Sequence, residues 1–219
     1  MNQSAGGRKF SAIIFDLDGT LAHTFPAVIR IFNRITASRL GRIFSLAEMA
    51  PYFGPPETVA FKGLFPEDAE HRAVVEEFYQ QLRDDGHDIK AFDGARELLT
   101  DLRADNRHLA VYTGASAEAA RIRIGHAGLL DLFDEILGGD QVARYKPDPE
   151  GVVRLIEHFR ACPQETVYIG DMVSDVMAGR AAGAATIAVT WGAGRRKDLA
   201  AANPDYLIDD PKELTEILK

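Results

Sequence analysis

"KFSAIIFDLDGTLAHT", residues 9–24, sets two aspartates two positions apart at the end of an apolar run. The run itself, "FSAIIF" at 10–15, is aromatic and β-branched without polar alternation, the pattern of a strand covered on both faces. "HLAVY" at 108–112, "TVYI" at 166–169 and "ATIAVT" at 185–190 share that pattern, with "EIL" at 135–137 and "YLI" at 206–208 as weaker, edge-like candidates. Helical spacing fills the intervals over 94–104, where Leu98, Leu99 and Leu102 share a face, and over 116–128, 149–160 and 174–182. Strand and helix in alternation predict an α/β fold, a Rossmann-like doubly wound layer with a mostly parallel sheet.

Residues 21 to 90 break the alternation, because a simple crossover needs far fewer residues. Helical patterns over about 25–40, 45–52, 56–63 and 67–84, punctuated by "FGPPE" and "LFP", predict helices only. The expected organisation is a catalytic core of residues 1–20 and 91–219, with an α-helical cap domain, 21–90, inserted after the first strand.

Composition narrows the function classes. At 219 residues and 46% apolar, the chain can build a core without disulfides or metals. Its one cysteine, Cys162, fits a reducing compartment and reads as a packing residue. The polar N-terminus has no secretory pattern and no run approaches the ~20 apolar residues that cross a bilayer, so a cytoplasmic location and no membrane partner are expected. A net charge of −8 with scattered lysine and arginine disfavours nucleic acid, and "GRRKD" at 194–198 reads as a solvated loop.

Ligands of a doubly wound sheet sit beyond the carboxyl ends of its strands. Asp16 follows "AIIF" there, as a turn cap, a metal ligand or a nucleophile. The other strand ends add to it: "HLAVY" runs into Thr113-Gly114, and "TVYI" into "GDMVSD" with Asp171 and Asp175. Lys146 lies on the loop "RYKPDPE" between them. Carboxylates gathered on one rim raise one another's pKa, a conflict that Mg²⁺ with water and phosphate oxygens would relieve.

These residues in this order resemble the haloacid dehalogenase superfamily of aspartate-nucleophile phosphotransferases, over nearly the whole chain. "DLDGT" at 16–20 is similar to its first motif, Thr113 of "VYTG" to the second, Lys146 of "YKPDP" to the third and "GDMVSD" at 170–175 to the fourth. The resemblance implies that Asp16 attacks phosphorus and forms an aspartyl-phosphate, while Asp18 protonates the leaving alcohol and later deprotonates water. It also implies phosphate binding by Gly19, Thr20, Thr113, Gly114 and Lys146. The Mg²⁺ ligands would be Asp16, Asp171 and the backbone carbonyl of Asp18, with Asp175 supporting from behind.

Within the superfamily, an acidic residue at 18 resembles phosphatases and mutases, and Gly19-Thr20 resembles phosphatases more than sugar phosphomutases. The helical insertion is similar to that of the phosphoglycolate phosphatase-like branch. The expectation is a Mg²⁺-dependent phosphatase of a small phosphorylated metabolite, as a monomer or homodimer. The rivals are a sugar phosphomutase, a pyrophosphatase or nucleotidase, and a non-catalytic binding module. Arg30, Arg34, Arg42, Lys62 and Phe53 are candidates to select the substrate from the cap. His23, where relatives commonly carry aspartate, and Met172, where many carry serine, depart from the pattern.

Overall fold

The computed structural model describes residues 10–219. In chain order the strands are β1 (Ala12–Phe15), β2 (Ala22–His23), β3 (Lys90–Ala91), β4 (His108–Tyr112), β5 (Glu135–Leu137), β6 (Thr166–Gly170), β7 (Ala185–Val189) and β8 (Tyr206–Ile208). The helices are α1 (Phe25–Leu40), α2 (Leu46–Met49), α3 (Glu57–Ala60), α4 (Asp68–Asp85), α5 (Ala95–Ala104), α6 (Ala117–His126), α7 (Glu150–Phe159), α8 (Val173–Ala181), α9 (Arg196–Ala201) and α10 (Pro211–Leu218).

Six strands form one sheet in the order β5-β4-β1-β6-β7-β8, with every pairing parallel. The weaker apolar runs, β5 and β8, take the two edges. The missing polar alternation has a direct cause, because successive residues enter two different cores. Ile13 and Phe15 of β1, Leu109 and Val111 of β4, and Val167 and Ile169 of β6 pack toward α5, α6 and α10. Ile14, Ala110, Tyr112 and Tyr168 pack on the opposite face against Val152, Leu155 and Ile156 of α7. The chain runs from β1 outward through β4 to β5, then crosses back to β6 on the far side of β1. The strand order therefore reverses around β1, and the crevice at such a reversal is where ligands bind.

Between β2 and β3 the chain is helical. Thr24 and Pro26 open α1, and Gly41 in the left-handed region closes it. Ser45 and Glu48 form a reciprocal cap on α2. Helices α1 and α4 share a core of Ile31, Phe32, Ile35, Val74, Phe78 and Leu82. Arg30 and Arg34 on α1 pair with Asp85 on α4, and Arg39 with Glu77. The only strands in this stretch, β2 and β3, form a two-residue antiparallel pair where the helical segment joins the sheet domain. His23 lies in that pair, exposed, with its ring centroid 4.0 Å from that of Phe92.

Two expectations are corrected. Cys162 is exposed, with its thiol donating to Gln164, so it is no packing residue. "GRRKD" begins α9 instead of forming a loop, with Arg195 paired to Asp198 and Arg196 to Asp209. Among the described residues no helix is long and apolar enough to cross a membrane.

Candidate active site

Three adjacent strands deliver the site. Thr113 follows β4, Asp16 follows β1 and Asp171 follows β6, all at carboxyl ends. The Asp16 N–H still donates to the Ile169 carbonyl at 2.8 Å, so the ladder fixes its backbone before the chain turns. The turn at 17–22 closes with Gly19 N–H donating to the Ala22 carbonyl at 3.0 Å. Gly19 has φ +86°, and a Cβ there would lie 2.8 Å from Asp171 Oδ2, so both backbone and space require glycine.

Lys146 reaches into this rim and donates to Asp16 Oδ1 at 2.7 Å and to Asp175 Oδ1 at 2.6 Å. Asp175 also accepts from the Tyr168 hydroxyl at 3.1 Å and, through Oδ2, from the Met172 N–H at 2.9 Å. It thus caps the start of α8 and orients Lys146 at the same time. Asp171 accepts from the Thr20 hydroxyl at 3.2 Å and the Ala193 N–H at 2.7 Å.

Carboxylate oxygens of Asp16, Asp171 and Asp175 lie within 4.8 Å of one another, all buried. Burial pushes Asp16 well above the usual carboxylate range; Lys146 opposes this, while Asp175, Asp171 and Asp18 add to it. Asp171 is pushed up to about 6, again by burial first and then by Asp175. Burial alone would lower Lys146, but Asp16 and Asp175 outweigh it and hold the ammonium charged. Three hard oxygen donors against one lysine leave room for a further cation, and the donor set suits Mg²⁺.

A consequence can be measured. Asp171 binds its proton up to about pH 6 when folded, but only to about 4 when unfolded. The folded state then holds the extra proton, so stability without metal falls as pH rises through that window. Added Mg²⁺ is therefore expected to raise Tm more at about pH 7.5 than at about pH 5, as calorimetry at both values would show.

Asp18 and Asp16 line one cavity. The Asp18 carboxylate accepts from Thr24, from Thr113 at 3.4 Å, and from Arg123 on α6 at 2.9 Å. Arg123 also pairs with Glu57 at the start of α3, whose other oxygen accepts from the Ser116 N–H at 2.9 Å. Arg123 is 3% exposed and its guanidinium is held strongly charged: burial works against the charge, and Asp18 and Glu57 outweigh it. A buried cation thus ties the sheet domain, at Asp18, to the helical segment, at Glu57.

The sequence reading missed Arg123 and Glu57, yet one signal was present. On α6, Ala119, Ala120 and Ile124 mark the buried face, and Arg123 falls on it. Thr20 stands beside Asp171, to which its hydroxyl donates. Gly114 lines the cavity beneath the loop of the helical segment. A Cβ there would lie 2.2 Å from the Gly54 carbonyl oxygen. Gly114→Ala is expected to push that loop away and lower kcat/KM by roughly 10- to 100-fold with secondary structure intact by circular dichroism. Of the candidates in the helical segment, Phe53 lines the cavity, whereas Arg30, Arg34, Arg42 and Lys62 are paired elsewhere with Asp88, Asp85, Glu48 and Asp68.

The family model of haloacid dehalogenase-like hydrolases matches residues 13–189, from the first strand of the sheet to the end of β7. The chain belongs to the haloacid dehalogenase-like hydrolase family. Among curated members it is 29% identical to pyrophosphatase PpaX of Listeria innocua over 214 residues, covering 96% of this chain and 97% of that one. It is 28% identical to PpaX of Bacillus velezensis over 212 residues, with the same coverage. Among solved structures of the family fold, a predicted phosphoglycolate phosphatase from Haemophilus somnus superposes with TM-score 0.81 at 23% identity, covering 96% of this chain and 98% of that one. A hydrolase from Pseudomonas syringae does so with TM-score 0.77 at 24% identity, covering 95% and 97%.

Proposed function

We propose that this hydrolase is a Mg²⁺-dependent phosphatase that cleaves a small phosphomonoester through an aspartyl-phosphate on Asp16, and that it is phosphoglycolate phosphatase-like in its helical insertion. The supporting observation is the buried Asp16 carboxylate, 2.7 Å from the Lys146 ammonium and grouped with Asp171 and Asp175 at the strand-order reversal. Asp16 and Asp171, with the Asp18 backbone carbonyl, would hold Mg²⁺, with Asp175 supporting them. When bound, the ion supplies charge neutralisation among these carboxylates and the phosphoryl oxygens.

In the first step an Asp16 oxygen forms a bond to phosphorus as the ester P–O bond breaks. The electron pair leaves with the alcohol oxygen, which takes a proton from Asp18. In the second, a water proton passes to Asp18, the water oxygen attacks phosphorus, and the acyl P–O bond breaks to restore Asp16. Lys146 meets the negative charge on the transferring group in a water-poor site. Thr113 and Gly114, which line the same cavity, would donate hydrogen bonds to the phosphoryl oxygens. The helical segment 21–90 would act as the cap that excludes water during the first step.

The name of the Listeria and Bacillus relatives, alike over 96% of this chain, makes pyrophosphate a second reading. The deciding assay is steady-state release of phosphate from a generic aryl phosphate, with Mg²⁺ and with chelator. Metal-dependent turnover is expected; its absence for the wild-type protein would remove the phosphatase reading. A bisphosphate requirement with an isomerised sugar phosphate as product would mark a mutase instead.

A further inference from the structure

A cavity of about 600 Å³ lies over Asp16, Asp18 and Lys146, between the sheet domain and the helical segment. Its volume is in the range that pockets for drug-sized ligands occupy, more than a two-carbon acid or a second phosphate needs. Aromatic side chains dominate its helical side: Phe25, Phe32, Tyr52, Phe53, Phe61 and Phe78. Phe25 and Phe53 stand edge to face at 5.9 Å, Phe32 stacks on Phe61 at 5.4 Å, and Phe32 lies 5.6 Å from Tyr52. Met172 and Tyr145, which are 44% and 38% exposed, continue the apolar lining toward solvent.

The charges in the lining point the same way. Its two cations are Lys146 and Arg123, and each is already bound by two carboxylates. Toward the leaving group stand Asp18 and Glu57, both acidic. A leaving group with its own carboxylate or phosphate would meet acid and no spare cation, at a high desolvation cost. A ring would meet other rings.

We infer that the substrate is a phosphate monoester of an uncharged, ring-bearing alcohol, with the phosphoryl group at Asp16 and the ring among Phe25, Phe32 and Phe53. The inference rests on the phosphatase reading above and adds the leaving group.

The test compares kcat/KM with Mg²⁺ for ethyl phosphate, 2-phenylethyl phosphate, phosphoglycolate and pyrophosphate. The two alkyl esters have leaving oxygens of similar chemistry, so their ratio reports the ring. 2-Phenylethyl phosphate should exceed ethyl phosphate by at least about 10-fold, the factor that burial of a phenyl group confers. Phosphoglycolate and pyrophosphate should fall below both. In Phe53→Ala the ratio of the two alkyl esters should shrink by about 2- to 10-fold. Equal rates for the two esters, an unchanged ratio in Phe53→Ala, or a preference for phosphoglycolate or pyrophosphate overturns the leaving-group inference while leaving the phosphatase reading intact. No hydrolysis of these substrates or of the aryl phosphate overturns both.

Discussion

Asp16→Asn is expected to lower metal-dependent phosphate release by about 10⁴- to 10⁶-fold, as loss of a nucleophile does where the remaining groups cannot substitute for it. The amide keeps the shape and can still meet Lys146, but it is a poor nucleophile toward phosphorus. The same change should not weaken the fold. Burial and three neighbouring carboxylates make the Asp16 charge unfavourable, so removing it relieves repulsion among Asp171, Asp175 and Asp18. The variant should therefore melt no lower than wild type without metal, and should gain less from added Mg²⁺. Kinetics and calorimetry on the same preparation check both halves. A variant that loses activity because it has unfolded would not show this combination.

Arg123→Met is expected to act through stability. The side chain is buried between Asp18 and Glu57, and methionine would fill much of the space while leaving two acids without their cation. Removing one partner of such a buried group typically costs about 3–5 kcal/mol, because the remaining charge stays buried and unpaired. Urea unfolding should show that loss. Adding Glu57→Leu to Arg123→Met should recover part of it, since one stranded carboxylate goes too. Activity of the single variant should also fall, because Asp18 loses its strongest anchor. A loss below about 1 kcal/mol, with no recovery in the double variant, would show that this pair does not tie the helical segment to the sheet domain.

Much of the fold was legible because each buried strand is a short apolar run followed at once by a charged or small residue. "AIIF" ends at Asp16, "HLAVY" at Thr113 and "TVYI" just before Asp171, so the strands and the rim of the site were read together. β2 and β3 were not legible, because two residues carry no periodicity and Ala22 finds Ala91 only through the fold. Helix α9 was hidden by its charged start, and α10 by its brevity, although Asp210 and Pro211 are a regular helix opening.

Within the site, residues at strand ends could be placed, but partners drawn from distant elements could not. Arg123 and Glu57 are 66 positions apart and meet only because the loop at Gly54 comes down on Gly114. Charge alone misdirected the reading of the helical segment. Arg30, Arg34, Arg42 and Lys62 were candidates because they are cations, yet each is neutralised away from the cavity. The lining instead comes from phenylalanines whose spacing along α1 and α4 resembles ordinary core packing. Thr20 was placed by motif position, and its bond to Asp171 comes from the turn set by Gly19, which no periodicity shows.

The central claim is covalent phosphorylation of Asp16, and trapping the intermediate tests it most directly. Enzyme turning over an aryl phosphate with Mg²⁺ would be quenched in acid, reduced with borohydride and digested. An acyl-phosphate is reduced to the alcohol, so the account predicts homoserine at position 16, only when substrate is present and not in Asp16→Asn. A peptide spanning "AIIFDLDGT" recovered with unmodified aspartate under demonstrated turnover, or with homoserine at position 18 instead, would contradict it.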